Sequence, residues 1–347
     1  MSGERRAWAE LLRLPALFTV PGDALAGAAV MGSRPTRGTL LAIGASTSLY
    51  AAGMALNDWA DRDEDARDRP HRPLPSGRIR PAHALAAAGA LTGTGLALAH
   101  RANRTTGAVA TALAATVWAY DLRLKSTAAG PAAMGAARAL DLLMGAAATA
   151  PAGARGGVTA ARAVAAVPAG PLGPLTPALT AAATLAVHTT AVTTVSRTEA
   201  QGGSSVGPLE ALAVGGAIAA TLLTPRTGRP LPKGAPPASP VRSGGGRLAS
   251  SAPVSPVRFG RGRPTSTAPI TVAVPAAAYA VTALRPLFHA VLNPSPPLTQ
   301  RAVGAGIRAL VPLQSALAAR SGAPVTALAT LALAPLARRF AKKVSVT

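Results

Sequence analysis

Apolar stretches of about twenty residues recur from one end of this chain to the other, separated by short polar segments. A helix needs about 20 such residues to cross the hydrocarbon core of a bilayer. They fall at 11–32, 38–56, 81–100, 104–120, 131–151, 174–196, 208–224, 268–291, 301–318 and 323–340. The expected fold is therefore all-α, a polytopic transmembrane helix bundle. Composition agrees. Charged residues are 14% of the 347, against about 25% in soluble proteins. Mean hydropathy is +0.30, so the polar surface of a soluble body this size is missing. Alanine dominates most stretches, and small residues let helices approach closely. Pro21-Gly22 and Pro275 are tolerable where neighbouring helices re-satisfy the backbone. The stretch 301–318 is the least apolar, carrying Arg301, Arg308 and Gln314, and could lie in the interface instead of crossing.

The formal charge is +22, from 35 Lys and Arg against 13 Asp and Glu. Aromatics are only 3%, too few to stack nucleic-acid bases. The basic residues sit between apolar runs, as in loops that face anionic lipid. The chain has no Cys, which excludes disulfides, thiol nucleophiles and thiolate metal sites. The first stretch is too long for a signal-peptide core. It reads as a retained helix, with Arg5, Arg6 and Arg13 holding its start in the cytoplasm. Residues 225–267 are rich in Pro, Gly, Ser and Arg and read as a disordered loop. It divides seven spans in 1–224 from C-terminal spans in 268–347 of the same domain.

Six of the 13 acidic residues fall within 58–68: Asp58, Asp61, Asp63, Glu64, Asp65 and Asp68. On one continuous helix at about 100° per residue, Asn57, Asp58, Asp61, Glu64, Asp65 and Asp68 share a face, and Asp63 points away. Carboxylates this close repel unless cations intervene. Mg²⁺ suits them, because it takes one or two carboxylates and completes its shell with substrate phosphates. The plain alternative is a solvated loop whose acids pair with Arg62, Arg67, Arg69 and Arg72. The position at a span end, the helical phase and the Arg72-Pro73-Leu74-Pro75-Ser76-Gly77 that follows argue against it.

Asn57-Asp58-x-x-Asp61-x-x-x-Asp65, followed by Arg72 to Gly77, resembles the first aspartate-rich motif of the UbiA superfamily of intramembrane prenyltransferases. The resemblance covers most of the chain outside 225–267. It implies a bundle of nine core spans, here with a tenth, that binds an isoprenyl diphosphate through Mg²⁺. Asn57, Asp58, Asp61 and Asp65 would be the metal ligands, with Arg72 on the diphosphate. After the fourth span, Tyr120-Asp121-x-Arg123-x-Lys125-Ser126 resembles the family's Tyr…Lys element. That assigns Tyr120, Arg123 and Lys125 to the catalytic group, with Lys125 on the diphosphate. A departing diphosphate needs cations as its charge grows, although a basic cytoplasmic loop would read the same way. The family's second acidic motif falls at Ser196-Arg197-Thr198-Glu199, with one acid only. Glu199, with help from Asp121 or water, is then a metal ligand and Arg197 a diphosphate contact. This reduced motif, the segment 14–23 and the region around Arg301 resemble the EboC-type branch.

Arg138 and Asp141 lie one turn apart in the fifth span. Charges in lipid are costly and face the bundle interior, so the two either pair or leave Arg138 pointing at the diphosphate. Asp23 is interior for the same reason. His188 reads as a hydrogen-bonded packing residue. With the N-terminus inside, spans two, four and six end on one face, bringing Asp61, Lys125 and Glu199 together. The reading is a Mg²⁺-dependent prenyltransferase acting on an isoprenyl diphosphate and an acceptor, an aromatic one being typical of the superfamily. It is an integral multi-pass protein of a bacterial plasma membrane, its active site facing the cytoplasm, with membrane lipid around it and no nucleic-acid partner. A terpene cyclase of the same superfamily and a non-enzymatic prenyl-lipid binder or transporter are the alternatives.

Overall fold

The first expected span is not one helix. A computed structural model describes residues 3–13, 17, 19–149, 175–197, 203–224 and 268–336, and there the stretch 11–32 is split. Helix α1 (Gly3–Leu11) ends before Arg13, whose φ of 47° lies in the left-handed region. Helix α2 (Pro21–Val30) restarts with Pro21 in its first turn, where a missing N–H costs nothing. The remaining helices are α3 (Arg37–Ala60), α4 (Arg62–Asp68), α5 (Pro81–Ala102), α6 (Arg104–Ala119), α7 (Gly130–Thr149), α8 (Thr176–Ser196), α9 (Val206–Leu223), α10 (Ala268–Leu292), α11 (Pro296–Arg320) and α12 (Pro324–Leu331). The described residues contain no strand. Six helices among them are long and apolar enough to cross a membrane: α3, α5, α8, α9, most of α10, and α11. Residues 225–267, expected to be a disordered loop, lie outside the described residues, as does the end of the tenth stretch.

Local chemistry sets several boundaries. Thr36 and Thr39 form a reciprocal capping box that opens α3, satisfying N–H groups that have no helical partner. Asn103 caps α6 by accepting from the Thr106 N–H at 2.8 Å, while its amide donates to Ala147 O of α7 at 2.9 Å.

Helix α11 corrects the expectation for 301–318. It is the most enclosed of the long apolar helices, with 83% of its apolar window buried. Its polar Gln314 is fully buried and donates to Thr19 O at 3.1 Å and Asp23 Oδ1 at 2.8 Å. An internal polar partner, not an interfacial position, accounts for the low hydropathy. Large exposed apolar side chains concentrate on α9 and α10, among them Val206, Leu209, Ile270, Val281 and Phe288.

Helices α2 and α7 touch through their backbones. A Cβ on Gly27 would sit 2.3 Å from Leu142 O, and one on Gly145 would sit 2.4 Å from Ala24 Cα. Only glycine permits that separation. The contact brings the first turn of α2, with Asp23, against the inner face of α7.

Candidate functional site

The chain does not run from α3 into α4 as one ideal helix. Asp61 breaks it, with φ −89° and ψ 2°, although the amide ladder continues from Asp61 to Asn57 O and from Asp65 to Asp61 O. The break corrects the expected phase. Asp58 and Asp65 are buried and Asp61 is half-buried, but Glu64 and Asp68 are exposed with Asp63. Arg62 lies over the Trp59 ring at 4.8 Å and donates to Trp59 O at 3.0 Å, bending away from the buried acids.

The loop after α4 folds back because it carries its own apolar anchors. Leu74 and Ile79 pack with Ala7, Leu11, Leu56 and Ala84. Gly77 takes a φ of 72° in the turn between them, a conformation that suits glycine. Arg78 closes the loop onto α1 by pairing with Glu10 at 2.7 Å. This fold presents Arg72, which pairs with Asp65 at 2.6 Å and reaches Asp58 at 3.7 Å. Arg69 stands 3.7 Å from the other oxygen of Asp65. From the end of α1, Arg13 reaches Asp58 at 3.3 Å and Asn57 Oδ1 at 3.5 Å.

Beyond α6 the chain takes a π-helical turn over Tyr120–Leu124. The wider turn directs Asp121 inward, where it is buried. Its carboxylate accepts from Asn57 Nδ2 at 3.4 Å, and the same amide donates to Asp61 at 3.1 Å. Asp121 is pushed up to about 7, first by burial; Asp61 adds to the rise, while Lys125, Arg13 and the Asn57 hydrogen bond oppose it. Lys125 closes the group by pairing with Asp61. At the end of α8, Arg197 donates to Thr127 O at 2.6 Å and Ser126 O at 3.4 Å. The ends of α3, α6 and α8 therefore meet, as the alternation of spans requires. Glu199 lies outside the described residues.

Of these groups Arg13, Asn57 and Asp121 line a cavity of about 270 Å³, and their partners Asp58, Asp61 and Lys125 stand beside them at its mouth. Its aliphatic wall is formed by Leu49, Met54, Leu113, Val117 and Met134. Arg13, Asn57, Tyr120 and Asp121 line one part of it; Ser46, Tyr50, Arg138, Asp141 and Thr189 line another. Arg138 does not form its ion pair one turn along α7 with Asp141. It pairs across the helix interface with Asp23, which the glycine contact between α2 and α7 brings within reach. Asp141 accepts instead from Ser46 Oγ at 2.7 Å. His188 is buried between Tyr279 and Gly306 O, both at 3.1 Å. Since a carbonyl only accepts, Nε2 carries the proton and Nδ1 accepts from the tyrosine.

Sequence reasoning brought Asn57, Asp58, Asp61, Asp65, Arg72 and Lys125 to one place, and they lie together. Arg123 is exposed on the same turn. Arg197 contacts the loop carbonyls, and Arg138 stands at the inner wall. Sequence reasoning gave no site role to Arg13, which looked like an orientation signal, and only an auxiliary one to Asp121. Asp121 had a legible signal, an acid directly after an apolar span.

The oxygen donors fit a hard divalent cation in pairs. Asp61 and Asp121 are joined through Asn57, and Asp58 and Asp65 through Arg72. Among the described residues no group of three His, Asp or Glu stands ready to cage an ion. Mg²⁺ needs no such cage when phosphate oxygens complete its shell. Arg13, Arg72 and Lys125 are paired with these carboxylates.

Residues 16–222 match the UbiA prenyltransferase family. A digeranylgeranylglyceryl phosphate synthase of Methanopyrus kandleri is 36% identical over 127 residues, 35% of this chain and 45% of that protein. The synthase of the same name from Ignicoccus hospitalis is 35% identical over 150 residues, 43% and 49% of the two chains. The chain thus spans about half the length of the curated relatives it matches. Among solved structures, a UbiA homolog from Aeropyrum pernix K1 superposes with a TM-score of 0.59 at 16% identity, over 91% of this chain and 96% of that one. A digeranylgeranylglyceryl phosphate synthase structure gives 0.51 at 13% identity, over 93% and 99%. At these identities the structures speak for the fold.

Proposed function

The chain belongs to the UbiA prenyltransferase family, and from that premise we propose that it moves an isoprenyl group from an isoprenyl diphosphate to an acceptor within the membrane. The observation that carries the reading is the meeting of Asn57, Asp61, Asp121 and Lys125 at the mouth of an apolar cavity. Acids and cations together at such a mouth suit a metal-held diphosphate, with the prenyl chain in the aliphatic interior.

Asn57, Asp58, Asp61 and Asp65, joined by Glu199, would hold Mg²⁺. Such an ion would supply positive charge to offset that of the diphosphate. Lys125, Arg72 and Arg123 bind the remaining oxygens and take up the negative charge that develops as the prenyl C–O bond breaks. Arg197 positions Lys125 by holding the carbonyls of the loop that follows it. The aliphatic wall keeps water from the allylic cation. Tyr120, at the mouth, is placed to contact the reacting end. Arg138, which the sequence assigned to the diphosphate, is paired with Asp23 at the inner wall.

The names of the matched relatives support a lipid-type acceptor over an aromatic one. Membership of the EboC-type branch rests on the reduced second motif and the segment 14–23, and a mouth facing the cytoplasm rests on the basic loops. The test is purified protein with labelled C10 to C20 diphosphates, with and without Mg²⁺ and a lipid extract. A lipid-soluble labelled product that requires both is expected. A hydrocarbon formed without extract would instead indicate cyclisation, and diphosphate binding without turnover would indicate a binder.

A further inference from the structure

On the side of α8 turned away from the cavity, a second hollow of about 310 Å³ opens between α8 and α9. Thr189 is an α8 residue that lines the cavity; at about 100° per residue, Val187 and Ala191 point about 160° away from it. The hollow is graded along its length. Thr194, Gly207 and Glu210 line the end nearest the mouth face, and Ala186, Val187 and Val214 line the deeper end. Gly207 fixes the level: a Cβ there would lie 4.0 Å from Val195, so α9 starts beside the end of α8. Glu210 is one turn deeper, level with the stretch between Thr190 and Thr194, which also line the hollow.

Glu210 is an acid that the bundle does not use. Among the described residues, Asp58 and Glu210 are the only acids on the six long apolar helices. Asp58 is buried and pairs with Arg13 and Arg72. Glu210 is exposed, and no cation among the described residues pairs with it. It lies about 6 Å past Val206, at 1.5 Å per residue. The helix dipole does not call for an acid there, because its effect fades within the first turn. A charge facing hydrocarbon is costly and normally turns to the bundle interior, whereas this one turns outward beside an apolar hollow. Among the described residues that line the hollow, none is Lys, Arg or His, so its walls offer no counter-charge.

We propose that the hollow holds a membrane lipid with a primary ammonium head group, the ammonium on Glu210 and an acyl chain along Val187 and Val214. The carboxylate selects a cation. Thr194 donates its hydroxyl to Thr190 O at 2.9 Å, which leaves its oxygen to the head group as an acceptor. An ammonium brings three N–H donors to such an end. A choline head brings none, and a phosphoglycerol head brings negative charge. The small side chains of the deeper end let an alkyl chain lie close against both helices. The site is independent of the prenyl-transfer reading, because α8 stands between the hollow and the cavity.

The test is native mass spectrometry of the full chain, released from nanodiscs that hold equal amounts of dioleoyl phosphatidylethanolamine, phosphatidylcholine and phosphatidylglycerol. One retained ethanolamine lipid per chain is expected, favoured about tenfold over either competitor, the scale of one hydrogen bond to a charged group. Glu210→Gln should abolish the preference, and Glu210→Asp should keep part of it. Val187→Trp, at an exposed position, should block retention by filling the apolar end. Ethanolamine lipid should also raise the unfolding midpoint of the wild type, as a ligand of the folded state does. It should not raise that of Glu210→Gln, whose melting in phosphatidylglycerol alone should match wild type. Equal retention of the three lipids by the wild type, a preference that survives Glu210→Gln, or one that survives Val187→Trp would each overturn the site. A doubled mass that is lost in Glu210→Gln would give the hollow to a basic segment of a second copy and overturn the lipid.

Discussion

Two groups of ionisable side chains serve one cavity, and they are built differently. At the mouth the acids are buried or half-buried but their counter-ions reach water: the side chains of Arg13, Lys125 and Arg72 are 41%, 25% and 23% exposed. At the inner wall Asp23 is fully buried, and Arg138 and Gln314 reach it from two other helices. Each of these cations keeps a path to water, so it can leave its acid for a better partner. Breaking a buried pair by removing one member costs about 3–5 kcal/mol, so the inner pair stays closed. The exposure of the counter-ion separates acids available for chemistry from acids committed to architecture.

The largest effect that would test this division is on turnover. Asp61→Ala or Asp65→Ala should lower prenyl transfer at least about a hundredfold, the scale on which enzymes lose charge-stabilising groups. Insertion and thermal unfolding should stay near wild type, because each acid's partner is an arm that can turn to water. Turnover measured against Mg²⁺ concentration, beside a melting curve, checks both halves. A variant that kept the wild-type rate at low Mg²⁺ would return the cluster to a solvated loop.

Asp23→Ala should do the reverse. It leaves the Arg138 guanidinium and the Gln314 amide without their shared partner, so the fold should lose about 3–5 kcal/mol. Yield of monodisperse protein and the unfolding midpoint are the readouts. A stable but inactive Asp23→Ala would erase the difference between the two groups.

How far the sequence foretold this division depends on the range of the contacts. The mouth was legible because Asn57, Asp58, Asp61 and Asp65 lie within nine residues, and helical spacing plus span alternation is enough to aim them at Lys125. The pairing of Arg138 with Asp23 was not legible, for the opposite reason. Asp141 is three residues from Arg138, and local spacing favours it as a partner. Asp23 is 115 residues away in sequence, and nothing local indicates that Gly27 and Gly145 let α2 press on α7. The split of 11–32 escaped notice because hydropathy measures apolarity and not continuity. Burial of 301–318 escaped because Gln314 and Arg308 lower the mean, although Gln314 has its partners in Asp23 and Thr19 O.

A smaller effect is expected at Glu199, the single acid of the reduced second motif. Glu199→Gln keeps the length and removes the charge. Affinity for a hard cation falls with ligand charge, so the Mg²⁺ requirement should rise several-fold and the rate fall. Glu199→Asp should be milder. An unchanged Mg²⁺ curve in Glu199→Gln would leave the first cluster working alone.

The smallest effect separates side chain from backbone at Arg13. Its guanidinium occupies Asp58 and Asn57 Oδ1, two of the oxygens assigned to the metal, so it competes for them. Arg13→Ala should therefore ease Mg²⁺ binding while changing stability by no more than about 1 kcal/mol, because the pair is half-exposed. Arg13→Gly removes the same side chain and relaxes a φ of 47°, which costs an L-residue about 1–2 kcal/mol. The two variants should share one Mg²⁺ curve and differ in melting temperature, with glycine the more stable. Each readout isolates one role: the Mg²⁺ curve reports the arm at the mouth, and the melting difference reports the bend that ends α1. If glycine melted no higher than alanine, the left-handed turn would not be stored strain. If the Mg²⁺ curves of both variants matched wild type, Arg13 would be a surface charge like Arg5 and Arg6, and the exchange of cations assigned to the mouth would lose one of its arms.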